Sequence, residues 1–303
     1  MKNLFLTALV CFSVIFAWSQ PKKPSSSKKI KPAVNIKKIE GADKEFCFIP
    51  EGVLKYLAGY KDTASLSIPY FFMSPVEITN ASYKLFLDDL KAQGRDADYQ
   101  KAMVQQDKWK TLFLPHGDTH SLFAEYYFDY PAYKHYPVVN VSHEGAELYC
   151  QWLTSKLKDT VWEYRLPTKA EWVYAAQGGR ILYDYSCGLY LRNYTGQFIC
   201  NYLRIGDECI QKTESGYEVV VKSFSFGIPL DAFITAPSLS YYPNDYGLYN
   251  MSGNVAEMID KKGVAMGGSW LSPGYDVRIR SEATYDEPNP TLGFRVVLAR
   301  KKQ

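Results

Sequence analysis

The chain has 303 residues, 47% of them hydrophobic and 25 of them tyrosine, with 35 Lys and Arg against 32 Asp and Glu. That length and apolar content allow one large domain with a full core. A net charge of +3, with no Lys/Arg cluster interleaved with aromatics in the globular part, argues against a dedicated nucleic-acid binder.

The first stretch, MKNLFLTALVCFSVIFAWSQ, has Lys2 as a positive start, an apolar run from Leu4 to Phe16, and Ala17 and Ser19 as small residues where cleavage is read. It predicts a signal peptide over 1–19 and hence an exported, oxidising location. The apolar run is shorter than the roughly 20 residues of a membrane span. Val10, before Cys11, is too bulky for a lipid-attachment signal. Residues 20–40 are rich in Pro, Ser and Lys, with no acidic residue before Glu40. They read as a flexible basic linker that could touch an anionic surface such as outer-membrane headgroups or cell-wall polymer. Residues 41–303 read as one domain.

Within that domain, Tyr83, Phe86, Leu87 and Leu90 recur at helical spacing after Thr79 or Asn80, and Gly94 closes the run. A second helix is capped by Ser142 and carries Ala146, Tyr149, Cys150 and Leu153 on one face. A third starts at Thr168 with Glu171 three residues on, a capping box, and ends at Gly178 and Gly179. Arg165 and Glu171 are placed to form a buried ion pair. Beyond this only short strands are expected, in GYEVVVKSF and GFRVVLAR. The fold class is therefore α+β, loop-rich and low in regular secondary structure.

After signal removal five cysteines remain: Cys47, Cys150, Cys187, Cys200 and Cys209. None forms a CxxC, so a zinc site is disfavoured. Cys150 in ELYCQWL reads as a buried, inert thiol. Cys187, Cys200 and Cys209 are close enough in sequence for one pair to bridge, and the pairing stays open. The histidines are His116, His120, His135 and His143. The HGDTH pair lies beside Pro115 and Gly117 and reads as a surface loop. No GxSxG, HExxH or phosphate-loop pattern occurs.

Two stretches carry candidate chemistry. In GLYNMSGNVAEM, the side chains of Asn250 and Glu257 and the carbonyls of Gly253 and Val255 offer four oxygens in one turn, which suits a hard cation such as Ca²⁺. In GVAMGGSWLSPGYDVRIR, Gly267 and Gly268 allow close backbone approach, Trp270 fills core, and Arg278 and Arg280 point the same way along an extended strand. Acidic groups such as Glu282, or loop carbonyls, are their expected partners.

Several blocks together, MSPVEITNASYKLFL, YPVVNVSHEGAELYCQWL, YRLPTKAEWVYAAQGG, PNDYGLYNMSGNVAEMI, GGSW and LGFRVV, resemble in their order the formylglycine-generating-enzyme (sulfatase-modifying factor) domain over Phe46 to Arg300. The resemblance implies that family's C-type-lectin-like fold. It also implies structural calcium at two places: Asn250, Gly253, Val255 and Glu257, and Asn201, Tyr202, Asp231 and Phe233. The enzymes bind Cu(I) between two cysteines on the GGSW segment. Here Ser272 falls at the first of those positions and Asp276, with one residue of slippage, near the second. Hard oxygen donors do not replace thiolates for Cu(I), so copper is not expected. The iron-dependent sulfoxide synthases of the family need a histidine cluster that this chain does not offer.

The blocks around YPVV and TAPSLSYYPNDYGLYN are most similar to the non-catalytic gliding-motility and type IX secretion branch of bacterial periplasmic proteins. The resemblance implies a structural role with protein partners in a ring complex, as an oligomer, at the inner face of the outer membrane. The chain departs from that branch in lacking a lipid-attachment cysteine, in His143 where Trp is usual, and in Ala-Glu-Met where Trp-Glu-Trp is usual. A formylglycine-generating or related metal-dependent oxidase and a calcium-dependent lectin-like module remain as alternatives.

Overall fold

The computed structural model describes residues 45–55, 65–112, 120–203, 207–214, 216–222 and 234–301. The expected signal peptide and basic linker, His116, Asp231 and Phe233 lie outside the described residues.

The described residues form twelve short strands and five α-helices. In order these are β1 (Cys47–Ile49), β2 (Gly52–Leu54), β3 (Leu66–Ile68), β4 (Phe71–Met73), α1 (Asn80–Ala92), α2 (Asp96–Ala102), α3 (His120–Tyr126), α4 (His143–Ser155), β5 (Trp162–Arg165), α5 (Lys169–Gln177), β6 (Asp207–Thr213), β7 (Gly216–Lys222), β8 (Ala256–Met258), β9 (Val264–Met266), β10 (Glu282–Thr284), β11 (Leu292–Phe294) and β12 (Val297–Arg300). Short 3₁₀ turns cover Gln106–Thr111 and Pro131–Tyr133.

The three expected helices form as read, and for the expected reasons. The Thr79 side chain accepts the Ser82 amide at the start of α1. The Ser142 side chain accepts the Gly145 amide at the start of α4. Thr168 and Glu171 complete the reciprocal capping box of α5, which ends on Gly178 in the left-handed conformation. Helices α2 and α3 carry no clear apolar period and were not expected. Most of α2 is exposed, and of its residues only Ala102 is buried.

One antiparallel sheet has the order β1-β4-β12-β5, with Met73 opposite both Cys47 and Val297. A second has the order β10-β9-β8-β11, in which β8 and β11 run parallel. The pairs β2–β3 and β6–β7 stand apart as two-stranded ribbons. Core side chains from the first sheet, α5 and the loops around Leu248, Met251 and Ile279 pack about Trp172. A second cluster gathers Trp109, Tyr127, Val139 and Trp270. Between α1 and α4, Tyr83 stacks on Tyr149, and Phe86 and Phe294 meet both rings edge-on. Many of the aromatic residues pack in these three assemblies.

One ion pair ties the second sheet to the core. Gly293 of β11 lies opposite Glu257 of β8, and Arg295 sits two residues beyond Gly293, on the same side of the chain. Arg295 Nε and Nη2 donate to the two carboxylate oxygens of Glu257, both at 2.6 Å. Glu257 also accepts the Trp172 indole N–H at 2.7 Å. Arg295 is 0% exposed and Glu257 1%. Removing one partner of such a pair strands a buried charge, so Arg295→Met is expected to cost about 3–5 kcal/mol. Urea unfolding of variant and parent measures it, and an unchanged midpoint would refute the assignment.

Candidate functional site

The segment SPVEIT leads from β4 into α1 alongside residues 294–296. The Ser74 amide donates to Val296 O and the Ile78 amide to Phe294 O, each at 2.9 Å. This lays Glu77 beside Arg295, yet Arg295 gives it no N–H. The remaining guanidinium donors go to Tyr249 O at 2.8 Å, Ser74 O at 3.2 Å and Pro75 O at 3.5 Å. Glu77 instead accepts the side-chain amides of Asn254 at 2.8 Å and Asn250 at 3.2 Å. It is completely buried. Burial pushes its carboxyl up to about 7, against the pull of Arg295 and with a further push from Glu257.

The Asn250 loop therefore holds two buried carboxylates and one guanidinium. Asn250 and Asn254 adopt positive φ of 53° and 65°. Asn250 Nδ2 donates to Ser238 O at 2.9 Å as well as to Glu77. Its Oδ1 is buried without a hydrogen-bond partner, as is Ser238 Oγ. Gly253 crosses the Asn201 carbonyl so closely that a Cβ there would sit 2.1 Å from that oxygen. Asn250 Oδ1 is thus open to a hard cation, whereas the two Glu257 oxygens expected beside it are taken by Arg295 and Trp172.

The second expected group is placed only in part, because Asp231 and Phe233 lie outside the described residues. Asn201 Nδ2 donates to Ile234 O at 2.9 Å and to Asn254 Oδ1 at 3.2 Å. The Asn201 carbonyl accepts the Asn254 amide at 2.8 Å. Tyr202 is half-buried against Val277 and Cys200. The two groups, separate in sequence, thus meet at Asn254. Among the described residues no three His, Cys, Asp or Glu side chains gather as a metal site.

The GGSW segment is built as a turn. Ser272 Oγ accepts the Ser269 amide at 3.0 Å and lies 3.2 Å from Ser269 Oγ. The Ser272 amide donates to Ser269 O at 3.0 Å, and its carbonyl accepts the Leu203 amide at 2.9 Å. Asp276 is exposed, and a Cβ on Gly268 would lie 2.4 Å from its carbonyl oxygen. The tip of the Trp172 ring approaches Gly267 in the same way, at 2.9 Å from a Cβ there. Trp270 is buried, as expected.

The extended run expected for Arg278 and Arg280 is replaced by consecutive turns, since Pro273 and Gly274 favour them. Arg278 Nε donates to Tyr275 O at 3.0 Å and its guanidinium stacks 3.4 Å over the Tyr275 ring. Arg280 Nη2 donates to Ile181 O at 3.3 Å. Loop carbonyls are thus their partners, whereas Glu282 pairs with Lys169.

Arg165 and Glu171 form the expected pair, at 2.7 and 2.8 Å. Cys150 is buried, and burial pushes its thiol well above the ordinary range. His143 is buried with Nε2 at 2.9 Å from Ile259 O. Sequence reasoning missed Glu77, Asn254, Trp172 and Arg295. The available signal was a lone charge inside each of two apolar runs, PVEI and GFRVV, which a buried partner must explain.

A family model described as sulfatase-modifying factor enzyme 1-like domain matches residues 33–300. The formylglycine-generating enzyme of Streptomyces coelicolor is 32% identical over 187 residues, which are 53% of this chain and 52% of that protein. The inactive C-alpha-formylglycine-generating enzyme 2 of Bos taurus is 32% identical over 176 residues, 53% of this chain and 49% of that protein. The chain spans about half the length of the curated formylglycine-generating enzymes it matches. Treponema denticola variable protein 1 superposes with a TM-score of 0.55 at 16% identity, over 88% of this chain and 99% of that one. The expected loop-rich α+β fold of the formylglycine-generating-enzyme type is thereby shown.

Ser272→Ala is expected to cost about 0.5–1.5 kcal/mol, because the Ser269 amide and hydroxyl lose a partner. Thermal unfolding tests this, and a variant as stable as the parent would show that the hydroxyl does not brace the turn.

Proposed function

Because the chain belongs to the family of sulfatase-modifying factor enzyme 1-like domains, we propose that it is a non-catalytic member. Its role is that of a structural and interaction component of an exported bacterial assembly, the type IX secretion or gliding-motility machinery of the periplasm. The observation that supports a non-catalytic role is the pair Ser272 and Asp276 at the places where the resembled enzymes carry copper-binding cysteines. Ser272 is spent on bracing its own turn. Hydroxyl and carboxylate are hard donors with little affinity for Cu(I). The existence of an inactive relative in the same family is consistent with this reading.

The interaction role draws on the surface formed by the 181–194 loop and its neighbours. Tyr194 is 100% exposed, Tyr190 75%, Leu182 68% and Tyr275 68%. Arg192 stacks on Phe198 at 3.8 Å, as Arg278 does on Tyr275. Tyrosine with ordered arginine is the composition that protein interfaces favour. In this reading the partners are proteins of the secretion ring, the chain is part of an oligomer, and the basic linker 20–40 faces the outer membrane or the cell wall. Calcium, held by the Asn250 and Asn201 loops, is structural.

Affinity capture of the tagged protein from native membranes is expected to co-purify secretion-ring proteins in stoichiometric amounts. The purified chain is expected not to compete with a Cu(I) chelator. A monomer that captures no partner and takes up one Cu(I) tightly would overturn the proposal in favour of an oxidase.

A further inference from the structure

The four most exposed large hydrophobic side chains among the described residues are Tyr194, Tyr190, Leu182 and Tyr275. They come from two stretches of chain, 181–198 and 272–280, that the fold ties together. The Ile279 amide donates to Asp184 O at 2.9 Å, and Arg280 Nη2 donates to Ile181 O at 3.3 Å. The Tyr185 hydroxyl donates to Gly274 O at 3.1 Å, and a Cβ on Gly274 would meet Leu191 Cδ1 at 2.4 Å. Both stretches rest on one small core of Ile199, Cys200 and Val277, with Tyr185 and Leu191 packed against it. The exposed side chains therefore belong to one continuous surface. Single exposed apolar residues are ordinary, whereas a gathered set marks an interface.

The surface is ordered before anything binds it. Arg192 and Phe198 bridge as an antiparallel pair. Within the turn they enclose, Asn193 Oδ1 accepts the Thr195 and Gln197 amides, each at 3.0 Å. The Tyr242 hydroxyl donates to Gln197 Oε1 at 2.7 Å. Tyr194 thus stands on a fixed tip, which lowers the ordering cost of association.

The same stretches carry unpaired charge of both signs. Arg192, Arg278 and Arg280 donate to the backbone oxygens of Gly196, Tyr275 and Ile181. Asp184 and Asp276 are exposed. Asp245 nearby is paired with Arg180, but among the described residues no ion pair involves any of those five. An acidic or a basic partner would satisfy one sign and leave the other unpaired at the interface. A second copy related by a two-fold axis satisfies both, because the arginines of each copy meet the aspartates of the other.

We propose that this surface is self-complementary and joins the chain to a second copy of itself in a two-fold dimer. The tyrosines and Leu182 form its apolar centre, and the charges fix its register. The proposal rests on the reading of this surface as an interaction surface, and it names the partner.

Sedimentation of the purified chain tests it. The parent is expected to show a monomer–dimer equilibrium in the micromolar range, loosened by high salt. Arg192→Glu with Arg278→Glu gives the surface an acidic excess, and Asp184→Arg with Asp276→Arg gives it a basic one. Each double variant is expected to be monomeric, and an equimolar mixture of the two is expected to restore the dimer. Tyr190→Ala with Tyr194→Ala, which alters no charge, is expected to weaken dimerisation at least about tenfold. This variant decides the matter if a charge variant does not fold. A parent that stays monomeric throughout that range would overturn the inference and leave the proposed function to its capture experiment. A parent dimer that none of the variants weakens would overturn it too, as would a mixture of the charge variants that stays monomeric. A parent that dimerises as expected yet captures no secretion-ring protein would overturn the proposed assembly and support this inference alone.

Discussion

The buried pair of Arg295 and Glu257 is the constraint from which the rest of the structure can be understood. A guanidinium with no exposure needs every N–H satisfied, and its partners come from separate stretches of chain: Glu257 in β8, Tyr249 ahead of it, and Ser74 and Pro75 after β4. Trp172 from α5 adds its indole N–H to the same carboxylate. A domain with strands of only three to seven residues and long loops has few ladder hydrogen bonds to define it. A charge that is costly to leave unpaired imposes one arrangement on those loops.

Glu77 shows the other side of that constraint. The pair neutralises itself, and the second carboxylate is left with amides. Burial raises its titration to about 7, with Arg295 opposing the rise and Glu257 adding to it. The neighbouring amide carbonyl of Asn250 is buried without a hydrogen-bond partner. Asn254 ties Glu77 to the Asn201 loop, some fifty residues away in sequence.

In the GGSW segment the backbone approaches its neighbours closely while the side chains brace the turn. Gly267 and Gly268 pass close to Trp172 and to the Asp276 carbonyl. Ser272 braces its own turn, and Arg278 lies on Tyr275.

Helices α1, α4 and α5 were legible because their information is local: a capping hydroxyl, an apolar stripe and a terminal glycine all lie within one turn or one face of the chain. The Arg165–Glu171 pair was legible for the same reason, being six residues apart. The order of blocks announced the family and hence the loop-rich fold. Helix α2, with most of its face in solvent, left no period to read. The turns after Trp270 replaced the strand expected there because Pro273 and Gly274 outweigh the alternation of Arg278 and Arg280. The contact between Glu77 and the Asn250 loop spans 173 residues, and that between Arg295 and Ser74 spans 221. Pairings of that range depend on which sheet edges meet, and only the tertiary structure decides this. The sequence by itself determined the local helices and the Ser272 and Asp276 that stand where the resembled enzymes carry cysteines. The tertiary structure decided that the one buried guanidinium pairs with Glu257 and leaves Glu77 to neutral amides, because burial makes charge balance a property of the whole core.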